Sequence, residues 1–246
     1  MSKVALSLIL PCYNEGPTFE KSVGLILKEL KKNKRSWEII FVEDRSRDDT
    51  KAAVEKLTRN IKNSRAIYHR KNEGRGKSVR DGIALSRGTI CAFMDVDCEI
   101  SPAFIPLFVS EVEKGYDIVV AQRFYESGLK NLNRVAASRL YSFIVKIFLD
   151  LPIGDTEAGF KFFNRIKILP IIARTRDKGW FWDTEICAVS YVSGLKIAQV
   201  PVLFVKRNDK KSTVKILRDS FDYLVKIIIF KKEFEKMKSN VKDGSF

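Results

Sequence analysis

The chain has 246 residues, 45% of them apolar and 30% charged, which allows a sizeable buried core and argues against intrinsic disorder. Its net charge of +15 favours an anionic partner such as a nucleotide, a nucleic acid or an acidic membrane surface. Four cysteines without C-x-x-C spacing predict free thiols in a reducing compartment, and one histidine excludes a histidine-rich metal site. We expect no secretory leader, because the start runs straight into a strand, and no apolar run reaches the ~18–20 residues of a membrane span.

The first part of the chain alternates between apolar strand-like runs and segments of helical spacing. The predicted elements are strands at 4–10, 37–42, 66–68 and 89–94 and helices at 17–32, 50–60 and 74–85. This alternation predicts an α/β fold with a mostly parallel sheet flanked by helices on both faces.

The second part is less regular but continues the same kind of fold. Helices are predicted at 102–114, 131–149, 182–192 and 213–238, and strands at 117–122, 161–164 and 195–205. The last helix is basic and amphipathic. We therefore expect one domain over residues 1–212 and a tail over 213–246, which either belongs to that domain or lies on a membrane surface.

Acidic residues follow three of the predicted strands. They lie in Pro11 to Glu15, in Glu43 to Ser46 and in Asp95-Val96-Asp97. In open α/β sheets ligands bind beyond the carboxyl ends of the strands, so these clusters should share one edge. Two carboxylates that converge there repel each other, and a divalent cation held by oxygen ligands relieves that repulsion. The alternative for Asp95-Val96-Asp97 taken alone is a solvated acidic turn.

Two nucleotide-binding classes are disfavoured by spacing. Residues 72–77 (Asn-Glu-Gly-Arg-Gly-Lys) could hold a phosphate at a helix N-terminus, but they lack the spacing of a P-loop. No Gly-x-Gly-x-x-Gly follows the first strand, which argues against a dinucleotide oxidoreductase. A nucleic-acid-binding module is also disfavoured, because no aromatic residues are interleaved with Lys and Arg on one element face.

Taken together, these motifs resemble family 2 glycosyltransferases of the GT-A fold, which is Rossmann-like. The resemblance rests on Pro11 to Glu15, Val42 to Thr50, Gly74 to Gly82 and Phe93 to Asp97. In addition, Gly154 to Lys161 is similar to the Asp-Thr-Gln-x-Gly-Phe-Lys segment of the polyprenyl-phosphate sugar synthases. Further similarities to that subfamily lie at Trp182 to Glu185, at Val200 to Val202 and at Arg207 with Ser212.

The resemblance implies roles for individual residues. Mg²⁺ or Mn²⁺ would be held by Asp95, Asp97 and Glu99. The donor nucleotide sugar would contact Pro11, Tyr13, Glu15, Glu43, Asp44, Lys77, Asp95, Val96, Arg207 and Lys211. The acceptor phosphate would contact Arg123, Arg134 and Ser138. Catalysis would depend on Asp95, Asp97, Asp155 and Arg207, with Asp155 orienting the acceptor or acting as base for a hydroxyl.

The function implied is a metal-dependent inverting transfer of a hexose from a nucleotide sugar to a polyprenyl or dolichyl phosphate. GDP-mannose is the favoured donor, as in dolichol-phosphate mannose synthases. The alternatives are a UDP-glucose-dependent dolichyl-phosphate glucosyltransferase and a family 2 transferase with a hydroxyl acceptor. A lipid phosphate is already largely ionised at neutral pH, so it needs orientation more than a general base.

The basic tail and the helix around residues 141–149 each carry an apolar stripe that is suited to an anionic membrane interface. The alternative is that both stripes pack on the sheet. We expect a cytoplasmic protein that is peripherally associated with the cytoplasmic face of a membrane.

Overall fold

The computed structural model describes residues 4–32, 35–125, 132–207 and 216–242 of the protein, and only the backbone of residues 132–139, 216–221 and 241–242. Within these ranges seven strands form one sheet: β1 (Leu6–Cys12), β2 (Trp37–Glu43), β3 (Ser64–Tyr68), β4 (Ile90–Met94), β5 (Ile118–Tyr125), β6 (Phe160–Asn164) and β7 (Ile197–Phe204). The helices of these ranges are α1 (Phe19–Lys32), α2 (Thr50–Asn60), α3 (Arg75–Leu85), α4 (Ile105–Glu113), α5 (Leu132–Leu149), α6 (Arg165–Ile172), α7 (Trp182–Val192) and α8 (Ile216–Lys242).

The sheet has the order β3-β2-β1-β4-β6-β5-β7 and is mostly parallel, as the sequence predicts. Strand β6 is the exception, because it runs antiparallel to both β4 and β5. The pairing of Cys12 with Glu43 brings the carboxyl ends of β1 and β2 side by side. The segment that enters β6 lies beside the end of β4, since Met94 pairs with Phe160.

Apolar residues cover both faces of the sheet, which explains the continuous apolar runs of the central strands. Along β1, Leu8 and Leu10 face one hydrophobic cluster and Ile9 faces the other. This alternation follows from the pleat of a strand, whose successive side chains point to opposite faces. The second cluster continues through Phe93 and the fully buried Trp182 at the start of α7.

Two details differ from the predicted elements. Strand β1 continues through Pro11, which pairs with Val42 on the β2 side, whereas the pairing with β4 has already ended at Ile9. The missing N–H of Pro11 therefore removes no bond to β4. Helix α6 was not predicted, because it has only 8 residues and contains Pro170.

Helix α8 packs alongside α5 and α7. Its residues Ile227, Phe230 and Phe234 are at most 5% exposed and join the second hydrophobic cluster. The ring of Tyr223 lies 4.9 Å from the ring of Tyr141 on α5. One side of the tail therefore packs on the domain, while the predicted boundary at residue 212 stays a prediction. None of the helices in the described ranges combines the length and the apolarity needed to cross a bilayer.

Candidate active site

The loops that follow β1 and β2 are bound to each other by side chains, and we call them the donor-side loops (residues 13–16 and 44–50), after the donor contacts that the sequence predicts there. The Asn14 amide donates to Ser46 Oγ at 3.1 Å, and Asn14 Oδ1 accepts from the Arg47 amide at 2.8 Å. The Glu15 amide donates to Thr50 Oγ1 at 2.8 Å. These bonds hold two of the three acidic clusters predicted from sequence in one place.

The acidic side chains of this region bind backbone amides. Glu15 Oε1 accepts from the Tyr13 amide at 3.2 Å. Glu43 Oε1 accepts from the Ser46 amide at 2.5 Å, and Glu43 is only 2% exposed. The predicted donor contacts of Pro11, Tyr13, Glu15 and Glu43 are thus brought together at the ends of β1 and β2. Their binding role stays a prediction.

Asp44 connects the donor-side loops to the segment before α3. Its Oδ1 accepts from the Glu73 amide at 2.8 Å, and its Oδ2 accepts from the Gly74 amide at 2.9 Å. Asp44 is 3% exposed, and both of its carboxylate oxygens bind groups of the protein itself. Its predicted contact with the donor stays a prediction. Sequence analysis missed His69, whose Nδ1 lies 2.7 Å from Asp44 Oδ1 and whose Nε2 lies 3.0 Å from Asp81 Oδ2.

Two backbone amides at the start of α3, where residues 72–77 suggest a phosphate contact, donate to carbonyls of the protein. The Gly76 amide donates to the Gly179 carbonyl at 3.2 Å, and the Lys77 amide donates to the Lys178 carbonyl at 3.1 Å. Lys77 Nζ lies 2.5 Å from Asp81 Oδ2, one turn along the helix. The predicted contact of Lys77 with the donor therefore stays a prediction.

Asp95, directly after β4, is held by residues from both halves of the chain. Its Oδ1 accepts from Arg75 Nε at 3.0 Å and from Nη2 at 2.7 Å. Its amide donates to the Gly159 carbonyl at 2.9 Å. The side chain of Asp95 keeps 36% of its surface exposed, so the carboxylate is both positioned and accessible.

Gly159 fits against the Asp95 carboxylate because it has no side chain. A Cβ at this position would lie 1.8 Å from Asp95 Oδ2 and 2.7 Å from Arg75 Nη2. A side chain here would therefore displace the carboxylate from its position beside Arg75. The glycine therefore belongs to the construction of the site.

Arg75 continues from Asp95 into a buried charge chain, by which we mean Asp95, Arg75, Asp183 and Lys161. The Arg75 guanidinium also pairs with Asp183, and Lys161 Nζ lies 2.6 Å from Asp183 Oδ1. Lys161 is 0% exposed, and its ammonium also donates to the Ala158 carbonyl at 2.6 Å. Burial opposes the charge on Arg75, but Asp183 and Asp95 outweigh it and raise the pKa of the guanidinium. Sequence analysis did not predict the buried charge chain.

Asp97 and Glu99 lie beside Arg207. The Arg207 guanidinium donates to the Asp97 carbonyl at 3.0 Å and to Ser22 Oγ at 2.6 Å. Glu99 Oε1 accepts from the Arg207 amide at 3.2 Å. Arg207 is therefore placed next to the Asp95-Val96-Asp97 turn, whose central residue, Val96, is buried. The predicted donor contact Lys211 lies outside the described residues.

The predicted metal ligands do not form a ready-made set of three. Among the described residues, no three His, Cys, Asp or Glu side chains converge as a metal-binding group. Asp95 and Asp97 nevertheless supply carboxylate oxygens on one short turn at the end of β4. Mg²⁺ is commonly held by one or two carboxylates together with phosphate oxygens of a ligand, and these two residues fit that arrangement.

A second group of charges consists of Arg123, Asp155 and Glu157, and we call it the acceptor-side cluster after the acceptor contact that the sequence predicts for Arg123. Asp155 Oδ2 lies 2.7 Å from Arg123 Nε, and Asp155 Oδ1 lies 2.9 Å from Arg123 Nη2. Glu157 Oε2 lies 3.7 Å from the same Nη2. Burial opposes the charge on Arg123, but Asp155 outweighs it and raises the pKa of the guanidinium.

The sequence predicted separate roles for Arg123 and Asp155, whereas the structure places them in one ion pair. Both carboxylate oxygens of Asp155 accept from the Arg123 guanidinium. Arg134 and Ser138 lie on the first half of α5, where only the backbone is described. Their predicted contacts with the acceptor stay predictions.

Comparison with known proteins gives the same family as the sequence motifs. The chain matches the model of glycosyl transferase family 2 over residues 7–169. It is 28% identical over 221 residues to glycosyltransferase AglD of Haloferax volcanii, covering 88% of this chain but only 35% of that protein. It is also 28% identical to the dolichyl-phosphate beta-glucosyltransferase of Saccharomyces cerevisiae, covering 87% of this chain and 71% of that protein.

The fold is shared with a solved structure. Glucosyl-3-phosphoglycerate synthase from Mycobacterium tuberculosis, in complex with Mn²⁺, uridine diphosphate and phosphoglyceric acid, superimposes with a TM-score of 0.67 at 20% identity. The match covers 92% of this chain and 76% of that one. The family and the fold predicted from the sequence are thereby confirmed. The chain belongs to glycosyl transferase family 2 and is a glycosyltransferase with the GT-A fold.

Proposed function

We propose that this protein transfers glucose from UDP-glucose to a polyprenyl phosphate of the dolichyl type, with inversion at the sugar. GDP-mannose, the donor favoured from the sequence, is not supported by the relatives, whereas the UDP-glucose alternative is. Besides the yeast enzyme, a dolichyl-phosphate beta-glucosyltransferase of Trichomonas vaginalis is 26% identical over 93% of this chain and 74% of its own length. One structural neighbour was crystallised with UDP-glucose and Mn²⁺.

The observation that carries the proposal is the meeting of two charged groups at one edge of the sheet. Asp95, after β4, touches the segment before β6 through the Gly159 carbonyl. That same segment contains Asp155, which binds Arg123 on β5. In this proposal a diphosphate with its metal binds at Asp95 and Asp97, next to a guanidinium that suits a second phosphate.

Charge must be balanced on the leaving diphosphate as the glycosidic bond to it breaks. A Mg²⁺ or Mn²⁺ ion held by Asp95 and Asp97 would supply Lewis acid stabilisation of that charge. Arg207 lies beside the same turn, bound to the Asp97 carbonyl, and its cation is suited to bind a phosphate oxygen.

The acceptor side favours a phosphate over a hydroxyl nucleophile. A lipid phosphate has a second pKa near ~6, so at neutral pH its oxygen attacks without a general base. Asp155 binds Arg123 with both oxygens and therefore orients the guanidinium. A hydroxyl acceptor would need a general base, and Asp155, the base predicted for that case, is held by Arg123.

The direct test measures lipid-linked sugar made from radiolabelled UDP-glucose or GDP-mannose with a polyprenyl phosphate. We expect glucosyl lipid that depends on Mg²⁺ or Mn²⁺. Asp97→Asn should lower kcat by roughly 10²–10³-fold, because it removes charge at the diphosphate. The control is Asp222→Asn, at an exposed position of α8. Mannosyl lipid as the sole product would reject the donor, and no lipid product with either donor would reject the function.

The proposal includes peripheral binding to an anionic membrane, because the acceptor is a lipid. Helices α5 and α8 lie side by side and run in the same direction, since Tyr141 meets Tyr223 and Phe148 meets Lys231 further along. Each helix has an exposed apolar stripe on the side away from the core. The stripes consist of Leu140, Phe143 and Ile147 on α5 and of Val225, Ile228 and Ile229 on α8. Exposed lysines next to these stripes are Lys146, Lys231 and Lys232.

An apolar helix face flanked by lysines is suited to the headgroup region of anionic lipids. The test is co-sedimentation with vesicles of phosphatidylcholine containing phosphatidylserine. Ile229→Glu should reduce the bound fraction several-fold, whereas Ile166→Glu on α6, where the residue is 77% exposed, should not. Equal binding of both variants and the wild type would exclude this surface.

A further inference from the structure

The acceptor-side cluster contains two carboxyl groups and a single guanidinium. Arg123 donates to Asp155 through both Nε and Nη2. Glu157 Oε2 lies 3.7 Å from Arg123 Nη2, which is too far for a hydrogen bond. The Glu157 amide also donates to Asp155 Oδ1 at 3.2 Å, which keeps the two residues together. Two carboxylates beside one cation leave a surplus negative charge when both are ionised.

We propose that Glu157 is a neutral carboxylic acid that donates its O–H to the acceptor phosphate and so determines acceptor affinity. This inference rests on the proposed function, because it names the group that contacts the acceptor. The proton stays on the Glu157 carboxyl, and no bond to the phosphate is made or broken by it. Glu157 is therefore a binding residue of the acceptor site.

The position of Glu157 fits contact with an entering phosphate. Its side chain is 24% exposed, whereas those of Arg123 and Asp155 are 15% and 8% exposed. Glu157 is thus the outermost member of the cluster. A phosphate that reaches Arg123 from solvent would pass this carboxyl. An ionised Glu157 would repel it, and a protonated one would offer it a hydrogen bond.

The surroundings of Glu157 favour the protonated form. Among the side chains that the structure describes, the titratable and charged groups that face it are Arg123 on β5, Asp155 in its own segment, Lys161 on β6, Asp183 on α7, Tyr141 on α5 and Tyr223 on α8. Burial raises the pKa of Glu157 to about 7; Asp155 and Asp183 add to the effect, and Arg123 and Lys161 oppose it. A bound phosphate brings further negative charge, which favours the proton still more.

The kinetic test compares the wild type with Glu157→Gln, whose amide keeps a donor at every pH. For the wild type, we expect KM for the polyprenyl phosphate to rise above pH 7 by up to about tenfold per pH unit, with a smaller change in kcat. The variant should lack this rise. Both should show the titration of the acceptor itself near pH ~6. Glu113→Gln, which alters an exposed ion pair with Arg35, should behave as the wild type.

A second measurement needs no activity. The folded-state pKa of Glu157 lies above its usual value of 4.5, so the stabilising effect of this group is complete below that value. It is lost as the pH rises through about 7. The Tm of the wild type minus that of Glu157→Gln should therefore fall between these pH values and then level off.

The outcomes separate the two proposals. Identical pH profiles of KM in the wild type and in Glu157→Gln would overturn the role of Glu157 while leaving the glucosyl transfer intact. If the wild type transfers to no lipid phosphate at any pH, the proposed function fails. In that case the phosphate contact of Glu157 is rejected as well. Independently of activity, a Tm difference between the wild type and Glu157→Gln that does not vary with pH would refute the protonated state of Glu157.

Discussion

The donor-side loops and the buried charge chain both position carboxylates at the same edge of the sheet, but by different interactions. At the donor-side loops, Glu43 at the end of β2 and Asp44 accept from backbone amides. In the buried charge chain, Asp95 and Asp183 bind the side-chain cations of Arg75 and Lys161.

The difference concerns how each region responds to the loss of one group. An amide deprived of its acceptor costs about 1–3 kcal/mol. A buried charge deprived of its partner costs about 3–5 kcal/mol, because the remaining ion is left desolvated. The buried charge chain also joins four elements, β4, α3, α7 and β6, so a change in one member is transmitted to Asp95.

The largest effect is expected from Lys161→Met. It removes a fully buried ammonium that balances Asp183, and we expect the free energy of unfolding to fall by about 3 kcal/mol. This value is at the lower end of the range because Asp183 keeps Arg75. Denaturant unfolding measures the change. Lys167→Met, at an exposed position of α6, is the matched control. A decrease in the free energy of unfolding of less than about 1 kcal/mol would show that the buried charge chain contributes little to stability.

Gly159→Ala should come next and should affect catalysis more than folding. The new Cβ would overlap Asp95 Oδ2, which has to move away from its position beside Arg75. A displacement of this size in a reacting site lowers kcat by about 10²-fold. The measurement is glucosyl transfer under saturating substrates. Gly24→Ala on α1, where a Cβ meets no atom within 4 Å, should keep full activity.

Asp44→Asn tests the amide-based side of the comparison. The side-chain NH₂ of asparagine would face an amide donor of Glu73 or Gly74 or the ring of His69. We expect a loss of about 1–3 kcal/mol in the free energy of unfolding. The control is Asp49→Asn, whose side chain makes no cap hydrogen bond in α2. Equal stability of the two variants would contradict the bonding role of Asp44.

The smallest effect is expected from Asp48→Asn, and it should depend on pH. Burial raises the pKa of Asp48, but hydrogen bonds from Thr50 and from the Gly16 amide outweigh it and lower the pKa below 3.8. The stabilisation from Asp48 is therefore complete above that pH and is lost as the pH falls through the folded-state pKa. The Tm difference between variant and wild type should shrink toward acidic pH. A difference that grows in acid would contradict the assignment.

The contrast also explains what sequence reasoning found and missed in the site. Asp95 and Asp97 were recognisable, because a carboxylate pair after an apolar strand depends on local sequence alone. Arg75 was seen only as part of a glycine-rich segment, since its partners Asp95 and Asp183 are far from it along the chain. The suggested phosphate contact at the start of α3 stays a prediction, and the sequence did not indicate that the Gly76 and Lys77 amides donate to the distant carbonyls of Gly179 and Lys178.

The sequence by itself determined the order and type of most elements and the family, and it predicted the edge of the sheet that carries the candidate site. These features follow from local periodicity, from turn residues and from motifs that are contiguous in the chain. Only the tertiary structure decided that β6 runs antiparallel, that Arg123 binds Asp155 and that Lys161 is buried beside Asp183. Pairing between distant segments depends on which charges remain desolvated once the chain is packed, and no local pattern specifies that.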